Sequence, residues 1–179
     1  MQKIMIIRHA EKHQHGKGHG VDEDGNHAAH ELTVRGWQRA GALVHFFRSP
    51  SAGSPIQPPR AIFASAATRE SPSKRAMHTV KPLAAALGLP VHHEFPEGEE
   101  AALAAAVLAA QAPALIVWHH GCIADVVREI TDGHIACPGA WPDERFDVVW
   151  ILDREGAHGP WRFGQVAQCL LAGDNPEVI

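Results

Sequence analysis

The sequence predicts an α/β fold, a three-layer sandwich in which helices cover both faces of a mainly parallel sheet and an antiparallel hairpin closes the C-terminal end. Three observations carry that expectation. Apolar runs alternate with helix-period stretches four times over, the pattern of parallel strands joined by helical crossovers. The run at residues 4–7 is continuously apolar and holds three isoleucines, as suits a strand buried on both faces. The last two runs, at 146–152 and 161–171, read as strands joined by a turn between Gly156 and Gly159.

Taken in order, the first strand gives way abruptly to Arg8 and His9, then Glu11 and Lys12. In an open α/β sheet this is the carboxyl edge, where binding sites are built. Two readings of the Arg-His pair stand at this point. It is an exposed pair capping a strand, or Arg8 holds an anion in fork geometry while His9, presenting an unprotonated ring nitrogen, attacks it. Residues 13–30 are rich in Gly, His, Asp and Asn without periodicity, a long loop of the kind that is functional or mobile. His13, His15, His19, His27 and His30 crowd this loop in a spacing that matches no standard metal site.

Thr33 is the N-cap candidate of a helix over 35–47, with Ala40, Leu43, Val44 and Phe47 at core-facing spacing. A Ser/Pro/Gly linker at 49–59 connects within the domain. Residues 61–65 form a second strand that ends on Ser65, and a helix over 74–87 follows a polar loop. Ala76, Val80, Leu83, Ala84 and Leu87 form its stripe and Gly88 its stop signal. Pro82 violates the pattern, so the helix is kinked there or a separate turn precedes it. A third strand is expected over 90–95 and an alanine-rich helix over 99–110, with acids at its positive N-terminal end. Residues 114–118 form a fourth buried strand ending on His119-His120-Gly121, and the next helix carries Ile123, Val126, Val127 and Ile130. The carboxyl ends of strands one, two and four then converge on one rim. They bring together Arg8 and His9, Ser65 and the approach to Arg75, and His119 with His120.

At 179 residues with 45% hydrophobic content, the chain is long enough for one domain with a full core, and residues 1–179 are taken as that single domain. A formal net charge of -4 argues against a general nucleic-acid binder, so small partners are expected. Cys122, Cys137 and Cys169 are odd in number and lack metal-type spacing, which suits a reducing cytosol. The first strand starts by residue 3, leaving no room for a signal peptide before it, and no apolar stretch approaches the ~20 residues of a membrane span. A cytoplasmic protein that uses no membrane is the expectation.

The constellation resembles the histidine phosphatase superfamily, also called phosphoglycerate mutase-like. The matching stretches are RHAEK at 8–12, LTVRGWQRA at 32–40, FAS at 63–65 followed by KRAMHT at 74–79, and IVWHHG at 116–121 before a helix. WPDERFDVVW and the later FGQVAQCLLAGD resemble a bacterial branch of that superfamily. No one of these motifs is specific; their order and spacing together are, over nearly the whole chain.

The resemblance implies that His9 is a nucleophile that becomes phosphohistidine. It implies that Arg8 and Arg75 bind the phosphoryl oxygens, that a histidine after strand four completes the pocket, and that no metal or other cofactor is required. Phosphoryl transfer asks a protein mostly for positioning and positive charge, which two arginines supply while favouring a neutral His9. The RHG motif of the family has Ala10 in place of its glycine. Its second histidine is His119 under a V-x-H-x-G alignment or His120 under W-x-H. Because side chains alternate along a strand, one of the two is expected to point inward; we take His120, since Trp118 and Ile123 then fall where the resembling branch has them, and leave the other as a rim or packing residue. Glu94, Glu97, Glu99 and Glu100 compete for the general acid, and we take Glu97. The expected activity is a metal-independent phosphomonoester phosphatase acting on a small phosphorylated substrate or a phosphorylated peptide. A mutase-type phosphotransferase, a non-catalytic phosphate- or phosphopeptide-binding module and a His-rich metal carrier are the alternatives. Cys122 at a helix start is either a thiolate favoured by the helix dipole or a small buried hydrophobe.

Overall fold

β1 (Gln2–Arg8) lies inside a six-stranded sheet and is buried from Lys3 to Arg8 in a computed structural model, which describes residues 1–14, 18–156 and 158–179. β4 (Ala114–Trp118) flanks it in parallel, with Ile4 opposite Ala114 and Arg8 opposite Trp118. β5 (Val148–Arg154) flanks it in the antiparallel sense on the other side. Outside β4 come β2 (Ala61–Ala64) and then β3 (Val91–His92), both parallel, and outside β5 comes β6 (Arg162–Ala167), antiparallel. The order β3-β2-β4-β1-β5-β6 is the mainly parallel sheet with a terminal hairpin that the sequence predicts. The turn of that hairpin lies in part outside the described residues, at position 157.

Successive residues of β1 feed opposite cores because side chains alternate across a sheet. Met5 and Ile7 join Leu115 and Val117 under α1 (Val34–Arg48) and α2 (Arg75–Leu87), whose Leu43, Phe47, Val80 and Leu83 are fully buried. Ile4 and Ile6 join Ile116 and Trp118 under α3 (Glu100–Ala109) and α4 (Ile123–Thr131), through Leu103, Val126 and Val127. Each such side chain contributes roughly 1.5–3 kcal/mol by leaving water. That scale explains why α2 runs without interruption through Pro82, so that no separate turn precedes it. A mid-helix proline costs about 3 kcal/mol, and the buried face of the same helix outweighs it.

Two local signals set the helix ends next to the rim. Thr33 caps α1, its Oγ1 accepting from the Gly36 amide at 3.2 Å. Gly36 itself is demanded by close approach, since a Cβ there would lie 2.6 Å from the carbonyl oxygen of Glu11.

Some expected boundaries are corrected. The third strand, expected over 90–95, pairs only at Val91–His92. It is the edge of the sheet, and edge strands are kept short. β5 starts two residues later than expected because Phe146 packs on the Arg8 guanidinium, 3.9 Å from Cζ to the ring centre, rather than joining the sheet. β6 stops at Ala167 instead of residue 171 because the chain turns there. Cys169 takes a positive φ of 50°, and Asp174 accepts from the amides of Leu170 and Leu171. In the long loop, bridges join Lys12 to Leu32, Gly20 to Thr33 and Val21 to His27, while His15 lies outside the described residues.

Candidate active site

His9 follows β1 directly, and its amide donates to the carbonyl of Trp118 at 3.2 Å. The side chain is 2% exposed. Its Nδ1 lies 2.7 Å from the carbonyl oxygen of Ala10. A carbonyl only accepts, so Nδ1 carries the proton and Nε2 keeps a lone pair. Burial pushes the His9 pKa well below the ordinary value; the Ala10 carbonyl opposes this, and the charges of Arg8, His119 and Arg75 add to it. The ring is therefore neutral at pH 7, in the tautomer that leaves Nε2 nucleophilic.

Arg8 is fully buried, and its pKa is lowered to about 10 by burial, with Asp143 opposing the shift. Nη1 donates to the carbonyls of Pro142, Asp143 and Arg145, and Nη2 donates to Asp143 Oδ1 at 2.8 Å. Its Nε is buried with no partner among the described residues. Arg75, at the start of α2, donates to Glu31 O (3.1 Å), Ala29 O (2.8 Å) and Ser73 Oγ (3.3 Å). Burial lowers its pKa and Glu31 opposes the shift. Both arginines thus bind backbone carbonyls of neighbouring loops with part of their forks, and each guanidinium, with five N–H groups, retains further donors.

β4 ends at Trp118, so strand alternation no longer constrains the next two residues, and both histidines reach the rim. The His119 ring stands 5.7 Å from that of His9, edge-on at 73°, and its Nε2 is 3.0 Å from Ser65 Oγ. His120 lies in a short 3-10 turn (His120–Cys122) and directs Nε2 to Asp143 Oδ1 at 3.3 Å. Burial lowers the pKa of both histidines. Glu97 opposes this at His119, whereas Arg8 reinforces it at His120.

The four candidate acids separate by their engagements. Glu100 accepts from Trp118 Nε1 and the Gly98 amide, Glu94 faces His92 at 3.5 Å, and Glu99 holds the N-cap position of α3 without a side-chain capping bond. Glu97 is exposed and accepts from Cys122 Sγ at 3.3 Å, on the His119 side of the rim. Burial, and then that contact, push the Cys122 thiol up to about 12, so the helix dipole yields no thiolate there.

Three groups at the site carry no assigned role in the sequence reading. Lys12 Nζ meets Asp143 Oδ1 at 3.0 Å. Thr79 Oγ1 accepts from the Ala10 amide at 2.8 Å and donates to the Arg75 carbonyl at 2.7 Å, tying the loop after His9 to α2. Glu11 accepts from Arg35 and Arg39, and both arginines also bind Asp174 near the C-terminus. The arginines of LTVRGWQRA, four residues apart and hence on one helix face, are the available signal for this last contact. Beside the rim these ions wall a cavity of about 330 Å³ that Lys12 and Phe146 also line. Among the described residues, no three His, Cys, Asp or Glu side chains are grouped to hold a metal ion, and no helix is long and apolar enough to cross a membrane.

No family model and no curated protein sequence matches the chain. Solved structures do. A mycobacterial glucosyl-3-phosphoglycerate phosphatase complexed with VO3 is 16% identical with a TM-score of 0.57, over 91% of this chain and 97% of that one. A phosphoserine phosphatase from Entamoeba histolytica, complexed with phosphoserine, is 16% identical with a TM-score of 0.53, over 91% and 95%. The alpha-ribazole phosphatase from Shigella flexneri is 16% identical with a TM-score of 0.52, over 89% and 94%. Over nearly the full length of each, the chain shares the overall fold of these structures, a phosphoglycerate mutase-like α/β fold.

Proposed function

We propose that this chain, as one domain, is a metal-independent phosphomonoester phosphatase that works through a phosphohistidine on His9. The observation that carries the reading is the His9 tautomer, in which Nδ1 is tied to the Ala10 carbonyl and Nε2 is free, in the field of Arg8 and Arg75. Nε2 attacks phosphorus in line as the bond to the ester oxygen breaks, and Glu97 protonates the leaving oxygen. Water then attacks the phosphohistidine, gives its proton to Glu97, and returns Nε2 to its lone pair. Arg8, through its unpartnered Nε, and Arg75 stabilise the charge on the equatorial oxygens.

The ring contact with His9 and the bond to Ser65 favour His119 as the second pocket histidine, in the role assigned to His120 from the sequence. Glu97 is favoured as the acid because its charge acts on His119, whereas the Glu100 and Glu94 carboxylates face Trp118 and His92. The similar structures are named for glucosyl-3-phosphoglycerate, alpha-ribazole and phosphoserine phosphatases, which supports a small phosphorylated substrate over a peptide. The three free cysteines suit a reducing cytoplasm.

The test is hydrolysis of an aryl phosphate in the presence of EDTA, with radiolabelled phosphate trapped on the protein by acid-free quenching. Turnover in EDTA, with turnover and label both lost in His9→Ala, is the expected result. Undiminished label in His9→Ala overturns the assignment.

A further inference from the structure

Resting on the reading of His9 as the nucleophile, we propose that Arg8, Lys12 and His120 form a cradle for a phosphoryl oxygen and that the Asp143 carboxylate occupies it in the free protein as a resident competitor. Three nitrogens from two stretches of chain converge on one oxygen. Asp143 Oδ1 lies 2.8 Å from Arg8 Nη2, 3.0 Å from Lys12 Nζ and 3.3 Å from His120 Nε2. His120 Nε2 stands at ion-pair distance from the same carboxylate, whose charge favours a proton on the ring. Convergent charge-assisted donors of this kind suit a phosphoryl oxygen as well as a carboxylate oxygen.

The loop that carries Asp143 is anchored independently of its side chain. Its carbonyls at Pro142, Asp143 and Arg145 accept from Arg8 Nη1, and Trp141 Nε1 donates to the Arg145 carbonyl. The Asp143 side chain is 54% exposed, above an Arg8 side chain at 0%. The carboxylate can therefore swing into solvent while the backbone keeps Arg8 in place. Lys12 and His120 remain partly open to solvent, so an incoming anion reaches them. The Lys12 hydrogen bond and charge, and then those of Arg8, hold Asp143 down to about 2, so it competes as an anion throughout the working pH range and cannot serve as a proton donor. A phosphoryl dianion brings more charge and more oxygens to the same donors and displaces it.

The experiment is calorimetric titration of the full chain with inorganic phosphate at about pH 8, where phosphate is a dianion. Wild type, Asp143→Asn and Asp143→Ala are compared after circular dichroism shows each folded, with His9→Ala as a reference. Both Asp143 variants are expected to bind phosphate on the order of tenfold more tightly, and adding Lys12→Ala to Asp143→Asn should reverse most of that gain. Equal or weaker binding in both Asp143 variants overturns the competitor role and makes the residue a holder of Arg8. Absence of phosphate binding in every variant overturns the cradle as well. Failure of the phosphatase reading shows separately, as aryl phosphate turnover that His9→Ala leaves intact.

Discussion

At the scale of single residues, the chemistry at the rim follows from which atoms can only accept. The Ala10 carbonyl, which has no proton to give, sets the His9 tautomer. Arg8 and His9 were legible in the sequence because an apolar strand that ends on polar residues announces a sheet edge. The choice between His119 and His120 was not legible. A W-x-H alignment favours His120 and strand alternation allows one inward ring, yet the strand ends at Trp118 and a 3-10 turn carries His120 toward Asp143. Kinetics separates the two roles. With His119 beside the transferred group, His119→Ala should lower kcat by about two to three orders of magnitude, the loss typical of one preorganised donor. His120→Ala, which removes a cradle donor, should act mainly on KM. Steady-state measurements on both folded variants decide this, and a dead His120→Ala beside a normal His119→Ala returns the pocket to the W-x-H alignment.

At the scale of elements, the four helices and the central strands were legible because their periodicity coincides with their burial. β3 and the C-terminal segment were not, since an edge strand and an Asp-capped turn depend on partners far away in sequence. The junction of β1 and α2 has the same character. Thr79, wholly buried in α2, accepts from the Ala10 amide and donates to the Arg75 carbonyl, so one hydroxyl holds the loop after His9 against the first turn of the helix that carries Arg75. Thr79→Val keeps the shape and leaves the Ala10 amide without an acceptor, which costs about 1–3 kcal/mol. We expect lower stability in urea and a fall in kcat/KM larger than that of Thr79→Ser, which keeps the hydroxyl. Equal kinetics in the two variants would assign Thr79 to stability alone.

At the scale of the molecule, the fold class was legible because alternating strands and helices leave few topologies open, whereas the ion network that joins the two ends of the chain was not. Glu11 and Asp174 come to Arg39 of α1 from irregular segments with no periodicity to read. That network and the buried histidines make stability depend on pH in two separate windows. Against the penalty of burial, Arg39 and the Leu171 amide hold the Asp174 carboxyl at about 2, below its ordinary 3.8. A lowered acid contributes stability that is complete above the ordinary value and is lost as pH falls through the folded one, here on the order of 2 kcal/mol between about pH 4 and 2. His9 and His119 have folded values below 6.5, so the unfolded chain takes up protons first as pH falls, and stability declines from about pH 6.5 downward. The melting temperature should therefore fall in two steps on acidification. His9→Ala should shrink the upper step and leave the lower one, whereas Asp174→Asn should lower stability at neutral pH by deleting a partner of the buried Arg39 and should shrink the lower step. A melting temperature that stays level from pH 7 down to 5 in the wild type would show that neither histidine is held neutral by its burial, and the nucleophile at the rim would then have to be reconsidered.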